Sequence, residues 1–164
     1  MIWFKLEQDW PMAATKWTYD DLDEGAVLEL GSKLVTAEEI VEFASEFDFQ
    51  PMHLDEEAGK ASILGGLSAS GWHTCCMFMR LLCDGFLLDS TSQGSPGIEY
   101  AKWKKPVLAG DQLRGKCTVV GKRISKSRHG LGLVTIRSEL FNQRDEQVFE
   151  LQNTGMFLTR EAAQ

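Results

Sequence analysis

Four strand-forming segments that follow one long apolar helix are the feature that most limits the fold of this chain. The segments are Ile98–Val107, Leu113–Ile124, Gly130–Phe141 and Gln147–Leu158. Short turn signals rich in Gly, Asn and Asp separate the later ones. One further strand is predicted earlier in the chain, at Ala26–Leu34. Long antiparallel strands combined with a buried helix predict an α+β domain in which the helix packs on one sheet face.

The apolar helix is predicted at about residues 71–84. Its apolar residues recur at helical spacing and are Trp72, Cys75, Cys76, Met79, Leu82 and Cys83. Phe78 and Leu81 broaden this stripe, so we expect a largely buried helix at the centre of the domain. His73 falls outside the stripe and is predicted to lie at the surface or at an interface.

Length and composition fit one domain at residues 18–164, preceded by an N-terminal arm at residues 1–17. The chain has 164 residues, of which 43% are hydrophobic, enough for a sizeable core. No apolar run approaches the ~20 residues of a membrane span, and the N-terminus lacks a signal-peptide core. A soluble, cytoplasmic protein is therefore expected. The four cysteines form no CxxC pair and are predicted to be small buried hydrophobes, with no metal site.

The charges are distributed unevenly along the chain. The net charge is −7, yet the last 64 residues are basic. Basic stretches occur around Lys102–Lys105 and Arg123–Arg128. Such clusters suit an anionic ligand, or they protect a solvated sheet edge. Because the chain is acidic overall, we do not expect nucleic-acid binding.

A carboxylate and an imidazole stand five residues apart in the segment Asp48–Asp55. A capping box at Thr36 and Glu39 predicts a three-turn helix that ends just before Asp48. Because proline disfavours helical dihedrals in the preceding residue, an irregular turn is predicted to present Asp48 and His53. Such a pair can divide acid and base work on one water, or it can be an ordinary polar turn. Asp55 is predicted to be an N-cap only.

The combined motifs resemble those of the MaoC-like family, which includes the R-specific enoyl-CoA hydratases. The first motif is Asp48-x-x-Pro51-x-His53-Leu54-Asp55, followed by Gly65-Gly66-Leu67 and Ala69-Ser70-Gly71. Trp103-Lys104-Lys105-Pro106-Val107 and Gly110-Asp111 are also similar to the family's strand-and-turn signature. The resemblance covers roughly residues 20–160. It implies a hotdog fold, a long antiparallel sheet wrapped around a central helix. It also implies a homodimer, or a higher oligomer built from dimers, that acts on a CoA thioester.

The resemblance also implies roles for single residues. Asp48 and His53 would hold one water for addition to a trans-2-enoyl-CoA, giving an (R)-3-hydroxyacyl-CoA, or for the reverse dehydration. Which of the two is acid and which is base stays open. The Gly71 N–H would face the thioester oxygen at the start of the central helix. A catalytic Asp48 is expected to be partly desolvated, with a pKa above its usual value near 3.9.

Further expectations concern the ligand and its neighbours. Gln50, Ser70 and Gly66 are candidate substrate-binding residues. No cofactor is expected beyond the CoA of the substrate, whose phosphates would lie near one of the basic stretches. We expect no nucleic-acid or membrane partner.

Three positions depart from the family pattern, and two alternative functions stay open because of them. Gln50 replaces an asparagine, Ser70 stands where many members have His-Gly, and Met79 falls at the position of a serine that helps to order the site. A hotdog acyl-CoA thioesterase would attack the carbonyl carbon rather than C3. A non-catalytic acyl-CoA-binding protein would bind the ester without turnover.

Overall fold

The computed structural model describes residues 17–164, so most of the predicted N-terminal arm lies outside the described residues. The helices are α1 (Ala37–Phe47), α2 (Pro51–Leu54), α3 (Glu56–Ala61) and α4 (Gly71–Gly85). The strands are β1 (Val27–Leu34), β2 (Ile98–Trp103), β3 (Gln112–Ile124), β4 (Leu131–Phe141) and β5 (Gln147–Leu158). Single 3₁₀ turns occupy Tyr19–Asp21 and Leu87–Asp89.

The five strands form one antiparallel sheet in the order β1-β3-β4-β5-β2. The sheet packs around α4, so the predicted α+β hotdog fold is confirmed. Strand bounds agree with the sequence prediction to within one residue except at the end of β2. That strand stops at Trp103, because the amides of Lys104 and Lys105 both turn to the Val148 carbonyl and Pro106 has no amide hydrogen to donate.

The core lies between α4 and the inner face of the sheet. Residues alternate along the strands, so that Val134, Ile136, Ser138 and Leu140 face inward from β4. Phe149, Leu151 and Phe157 do so from β5. The ring of Phe78 on α4 lies 5.8 Å from that of Phe149, which joins helix and sheet. Burial of these side chains is the main stabilising term of the domain.

The side of α4 that is buried differs from the predicted stripe. Its buried residues are His73, Thr74, Met77, Phe78, Leu81 and Leu82. Trp72 is 65% exposed, Met79 is 48% exposed and Cys76 is also exposed in the single chain. The prediction was wrong because periodicity finds an apolar stripe but not the neighbours that will cover it. Of the cysteines, only Cys117 is fully buried, so that prediction was wrong for Cys76.

The prediction for His73 was also wrong. Its side chain is buried, and its ring stacks on Phe43 of α1 with 4.6 Å between centroids and 7° between planes. The two residues are 30 positions apart, so a helical pattern within α4 carries no sign of the contact. α1 therefore covers this part of α4.

Two predicted helix caps fix the helices on either side of the segment Asp48–Asp55. Thr36 Oγ1 accepts from the Glu39 amide and Glu39 accepts from the Thr36 amide, both at 3.2 Å, which confirms the capping box. Asp55 accepts from the Ala58 amide at 2.8 Å as the N-cap of α3. The predicted irregular turn is instead the one-turn helix α2, because Pro51 occupies its first position, where no amide hydrogen is needed.

Within residues 17–164, no helix is both long enough and apolar enough to cross a bilayer.

Candidate active site

Asp48 and His53 lie side by side where α1 ends and α2 begins. Asp48 is the C-cap of α1, and its backbone amide donates to the Ala44 carbonyl at 3.0 Å. His53 lies in the single turn of α2. The two side chains approach at 3.8 Å between His53 Nε2 and Asp48 Oδ2. Both are largely buried, so the pair works in a medium less polar than water.

The His53 ring has its tautomer fixed by the chain. Nδ1 lies 2.7 Å from the backbone carbonyl oxygen of Ser68. Because a carbonyl only accepts, Nδ1 carries the hydrogen and donates it. In the neutral ring Nε2 therefore holds a free lone pair, on the side where Asp48 lies. Ser68 is a site residue that the sequence reasoning missed, since it acts through its backbone.

Asp48 is held as a carboxylate by two side-chain donors. The Ser70 hydroxyl donates to Oδ2 at 2.6 Å, and the Gln50 amide donates to Oδ1 at 2.8 Å. These hydrogen bonds, Ser70 first, lower the pKa of Asp48 against the opposing effect of burial. The expectation of a raised Asp48 pKa was therefore wrong. Desolvation acts as expected, but the donors outweigh it.

Ser70 links Asp48 to the start of α4. As the N-cap of that helix, its hydroxyl oxygen accepts from the Trp72 amide at 3.2 Å while its hydrogen goes to Asp48. The positive end of the helix dipole is thus coupled to the carboxylate through one hydroxyl. The identity of residue 70 matters to this site because only a side chain with a short donor can make both contacts.

A cavity of about 340 Å³ opens beside His53. Among its lining residues are His53, Ser68, Gly71, Trp103 and Val107. Asp48 is not one of them, so His53 is the member of the pair that meets the cavity. The cavity is large enough for part of a small-molecule substrate.

Gly71 is the first residue of α4 and lies at the cavity wall. Its amide has no hydrogen-bond acceptor within the described part of the chain. A Cβ at this position would meet the Trp103 indole at 2.9 Å, and the indole N–H donates to the Gly71 carbonyl at 2.8 Å. Glycine is required here because of the close approach of Trp103, a contact that the sequence did not reveal.

The remaining predicted site residues divide into two groups. Gln50 and Ser70 join the site through Asp48. Gly66 does not line the cavity. Its carbonyl packs against Gly59, where a Cβ would collide with it, so the close packing of α3 on the following loop requires glycine at position 59. A Cβ on Gly66 itself would meet only Leu108, at 3.7 Å.

The basic residues at the cavity mouth are neutralised by neighbours. Lys104 lies 2.5 Å from Glu150, and Lys105 forms an ion pair with Glu146. In contrast, Arg123, Lys126 and Arg128 have no carboxylate partner within residues 17–164. Among these described residues, no three His, Cys, Asp or Glu side chains are grouped so that they could hold a metal ion.

Comparison with known proteins supplies the family. Residues 24–139 match the family model described as MaoC like domain. The uncharacterized protein YdeM of Bacillus subtilis is 33% identical over 132 residues, covering 80% of this chain and 92% of YdeM.

Among solved structures, the MaoC-like dehydratase from Rhodospirillum rubrum is 40% identical, with a TM-score of 0.82 over 88% of this chain and 98% of that one. The R-hydratase PhaJ1 from Pseudomonas aeruginosa shares the fold at 19% identity, with a TM-score of 0.70 over 87% of this chain and 86% of that one. The chain belongs to the MaoC-like domain family.

Proposed function

We propose that this protein is an (R)-specific enoyl-CoA hydratase or, in the reverse direction, a 3-hydroxyacyl-CoA dehydratase. The observation that carries the proposal is the free lone pair on His53 Nε2, beside a cavity whose wall also offers the unpaired Gly71 N–H. A base and an oxyanion donor at one cavity are what addition of water to an α,β-unsaturated thioester requires. Membership of the MaoC-like family supports the same reaction class.

The hydrogen bonds favour His53 as the base. Asp48 already accepts from Ser70 and Gln50, and its lowered pKa makes it a weak proton acceptor. His53 meets the cavity with an unprotonated nitrogen. We therefore assign proton transfer to His53. The Asp48 carboxylate orients the water and stabilises the positive charge that His53 acquires.

The addition then balances without any co-reactant. Water gives one proton to His53 Nε2, and its oxygen forms a bond to C3. The electron pair of the C2–C3 double bond moves to the thioester carbonyl, and the resulting enolate oxygen accepts from the Gly71 N–H. The proton on Nε2 passes to C2, which restores the carbonyl and neutral His53. Both groups are added from the side on which His53 lies, so the addition is syn.

Hydration of crotonyl-CoA, followed as the loss of enoyl absorbance, tests the proposal. Asp48→Asn and His53→Ala should each lower kcat/KM by about 10²–10⁴-fold, the range for general acid–base groups. Asp55→Ala is the matched control, because it removes an N-cap near the motif and should lower stability by ~1 kcal/mol without loss of chemistry.

Three outcomes would contradict the hydratase assignment. Near-wild-type turnover in either site variant would remove the proposed water-activating pair. Release of CoA thiol with no change in enoyl absorbance would assign a thioesterase. Binding of CoA esters with no turnover of any enoyl-CoA would assign a non-catalytic acyl-CoA-binding protein.

The CoA phosphates are proposed to lie at the basic stretch Arg123–Arg128 rather than at Lys102–Lys105. The support is electrostatic, because Lys104 and Lys105 are already paired with glutamates. Alanine at Lys126 and Arg128 should then raise KM for a CoA ester while leaving kcat unchanged. An unchanged KM would count against this stretch.

We also propose that the active species is a homodimer. β2 is an edge strand, bonded within the described chain to β5 alone. At the end of this strand, Trp103 forms an exposed aromatic pair with Trp72 of α4, with 5.9 Å between ring centroids. An unpaired edge next to exposed aromatic surface is typical of an interface. Light scattering should give twice the chain mass, and a monomeric mass at assay concentration would contradict this.

A further inference from the structure

A second cavity, of about 230 Å³, lies between the C-terminal half of α4 and the inner face of the sheet. Met79 and Leu82 line it from the helix, Ile136 and Phe157 line it from the sheet, and the loop at residues 92–95 contributes its small side chains. An apolar cavity of about 150 Å³ holds benzene. The second cavity therefore has room for a group somewhat larger than benzene, but not for a long chain.

Four polar side chains lie among the lining residues, namely Ser92, Ser95, Ser138 and Asn153. Each serine hydroxyl has a hydrogen bond within the protein: to Gly94 for Ser92, to Gly97 and Thr154 for Ser95, and to Cys117 for Ser138. Asn153 differs from them. The inward-facing positions of β5 are Phe149, Leu151, Asn153, Gly155 and Phe157. Asn153 stands opposite Ile136 in the register of β4 and β5, so it points toward α4 with its apolar neighbours. Asn153 is partly buried, and its carboxamide makes no hydrogen bond within the described residues. A carboxamide that faces an apolar cavity without a partner is unfavourable unless a ligand or water satisfies it.

The charges around the cavity restrict what that ligand group can be. No Lys, Arg or His side chain is among the lining residues. A carboxylate placed there would lose its hydration without gaining a counter-charge. The Asn153 carboxamide, however, can donate to a carbonyl and accept from a hydroxyl. A neutral hydroxyl or carbonyl is thus the group that fits.

The two cavities lie along one helix. Gly71 and Thr74 line the first and Met79 and Leu82 line the second. At a rise of ~1.5 Å per residue, Thr74 and Met79 are about 7.5 Å apart along the helix axis. A short acyl group that runs from a thioester at Gly71 along α4 toward its C-terminal half would bring its far end to the second cavity.

We infer that Asn153 determines substrate specificity, and that the preferred acyl group is short and carries a neutral hydroxyl or carbonyl at its far end. The inference rests on the proposed function, since it places the thioester at Gly71. Met79 and Leu82 then contact the methylene groups, and Asn153 binds the polar end.

Two enoyl-CoA esters of equal chain length, one with a terminal hydroxyl and one without, test the inference. The wild-type protein should turn over the hydroxylated ester with a kcat/KM about tenfold higher. Asn153→Leu should remove this preference, since the side chain keeps a similar size but cannot form hydrogen bonds. Gln152→Leu is the matched control, because the same change then stands on the opposite face of β5 and should leave the preference unchanged.

Binding of the corresponding saturated CoA esters, measured by calorimetry, separates this inference from the proposed function. A wild-type preference for the hydroxylated ester that is lost in Asn153→Leu supports the inference, even if no ester is hydrated. Equal binding of the two esters by the wild type, or a preference that survives in Asn153→Leu, overturns it. Failure of both esters to bind overturns both proposals. Asn153→Ala is the second variant should Asn153→Leu not give a cooperative melt.

Discussion

Two histidines of this protein are equally buried but differ in what their nitrogens meet. His53 and His73 are each 6% exposed. His53 donates from Nδ1 to the Ser68 carbonyl and turns Nε2 toward Asp48. His73 stacks flat on Phe43, and its buried Nδ1 has no hydrogen-bond partner among residues 17–164. Burial alone therefore does not prepare a histidine for proton transfer. His53 has three further features that suit proton transfer, namely a fixed tautomer, a facing carboxylate and an adjoining cavity.

Phenylalanine at each position tests this contrast most strongly. His53→Phe should lower kcat/KM for crotonyl-CoA by about 10²–10⁴-fold, because the proposed proton acceptor is lost. His73→Phe should stay within about threefold of the wild type. It should also raise the free energy of unfolding by about 1 kcal/mol, because an unpartnered buried nitrogen is removed.

Hydration rates and urea denaturation of the two purified variants provide the measurements. A large loss of activity in His73→Phe with an intact fold would place His73 in the catalytic machinery. It would contradict the distinction drawn between His53 and His73.

Ser70→Ala should give a smaller effect through Asp48. The variant loses the 2.6 Å hydrogen bond, so the pKa of Asp48 rises toward its ordinary value. Catalysis needs His53 neutral and Asp48 ionised, so kcat/KM falls in two steps as the pH drops, and the step at lower pH, set by Asp48, should move to higher pH. Loss of the hydrogen bond that holds the carboxylate in place should also lower the rate at neutral pH by about tenfold. Ser70→Thr keeps the hydroxyl and serves as the control. A lower step at the same pH in Ser70→Ala as in the wild type would show that Ser70 does not act through Asp48.

The smallest expected effect is a pH dependence of stability that comes from His73. Burial lowers the pKa of His73 below 6.5, while Glu39 and Lys33 act in opposite directions from nearby. Because the unfolded chain then binds the proton more tightly, stability is full above pH 6.5 and falls as the pH drops toward the lower folded pKa. The free energy of unfolding should therefore decrease less from pH 7.5 to pH 5.5 in His73→Phe than in the wild type. An equal fall in both proteins would contradict the assignment to His73.

The elements of the fold could be predicted from sequence because their signals are local. The capping box at Thr36, the N-cap at Asp55 and the turns between β3, β4 and β5 all depend on neighbours a few residues away. The buried face of α4 could not be predicted, since it depends on α1 and the sheet. The same limit explains the wrong prediction for His73.

In the candidate site, too, features with a local sequence signal could be predicted and features that depend on distant residues could not. Asp48, His53, Ser70 and Gly71 could be selected from motifs. In the structure His53 and Gly71 line one cavity, while Asp48 contacts His53 and accepts a hydrogen bond from Ser70. The state of Asp48 could not be predicted, because the hydroxyl that lowers its pKa comes from a residue 22 positions away. Nor could the Trp103 indole be placed against Gly71, since that contact joins an edge strand to a helix terminus.

The strand order also has a consequence for how the chain folds. β3, β4 and β5 follow one another in the sequence and pair as neighbours, so two hairpins can form from nearby residues. β1 must instead close a loop of about 80 residues to reach β3. β2 pairs only with β5, the last strand in the sequence, so it can join the sheet only after β5 has paired with β4. Closing a long loop costs conformational entropy before any stabilising contact forms. We therefore expect the central hairpins to nucleate folding and the edge strands β1 and β2 to join the sheet late. α4, which carries Gly71, would then pack on the central strands before β2, which carries Trp103, joins the sheet. The contact between Gly71 and Trp103 would therefore form in the last step of folding.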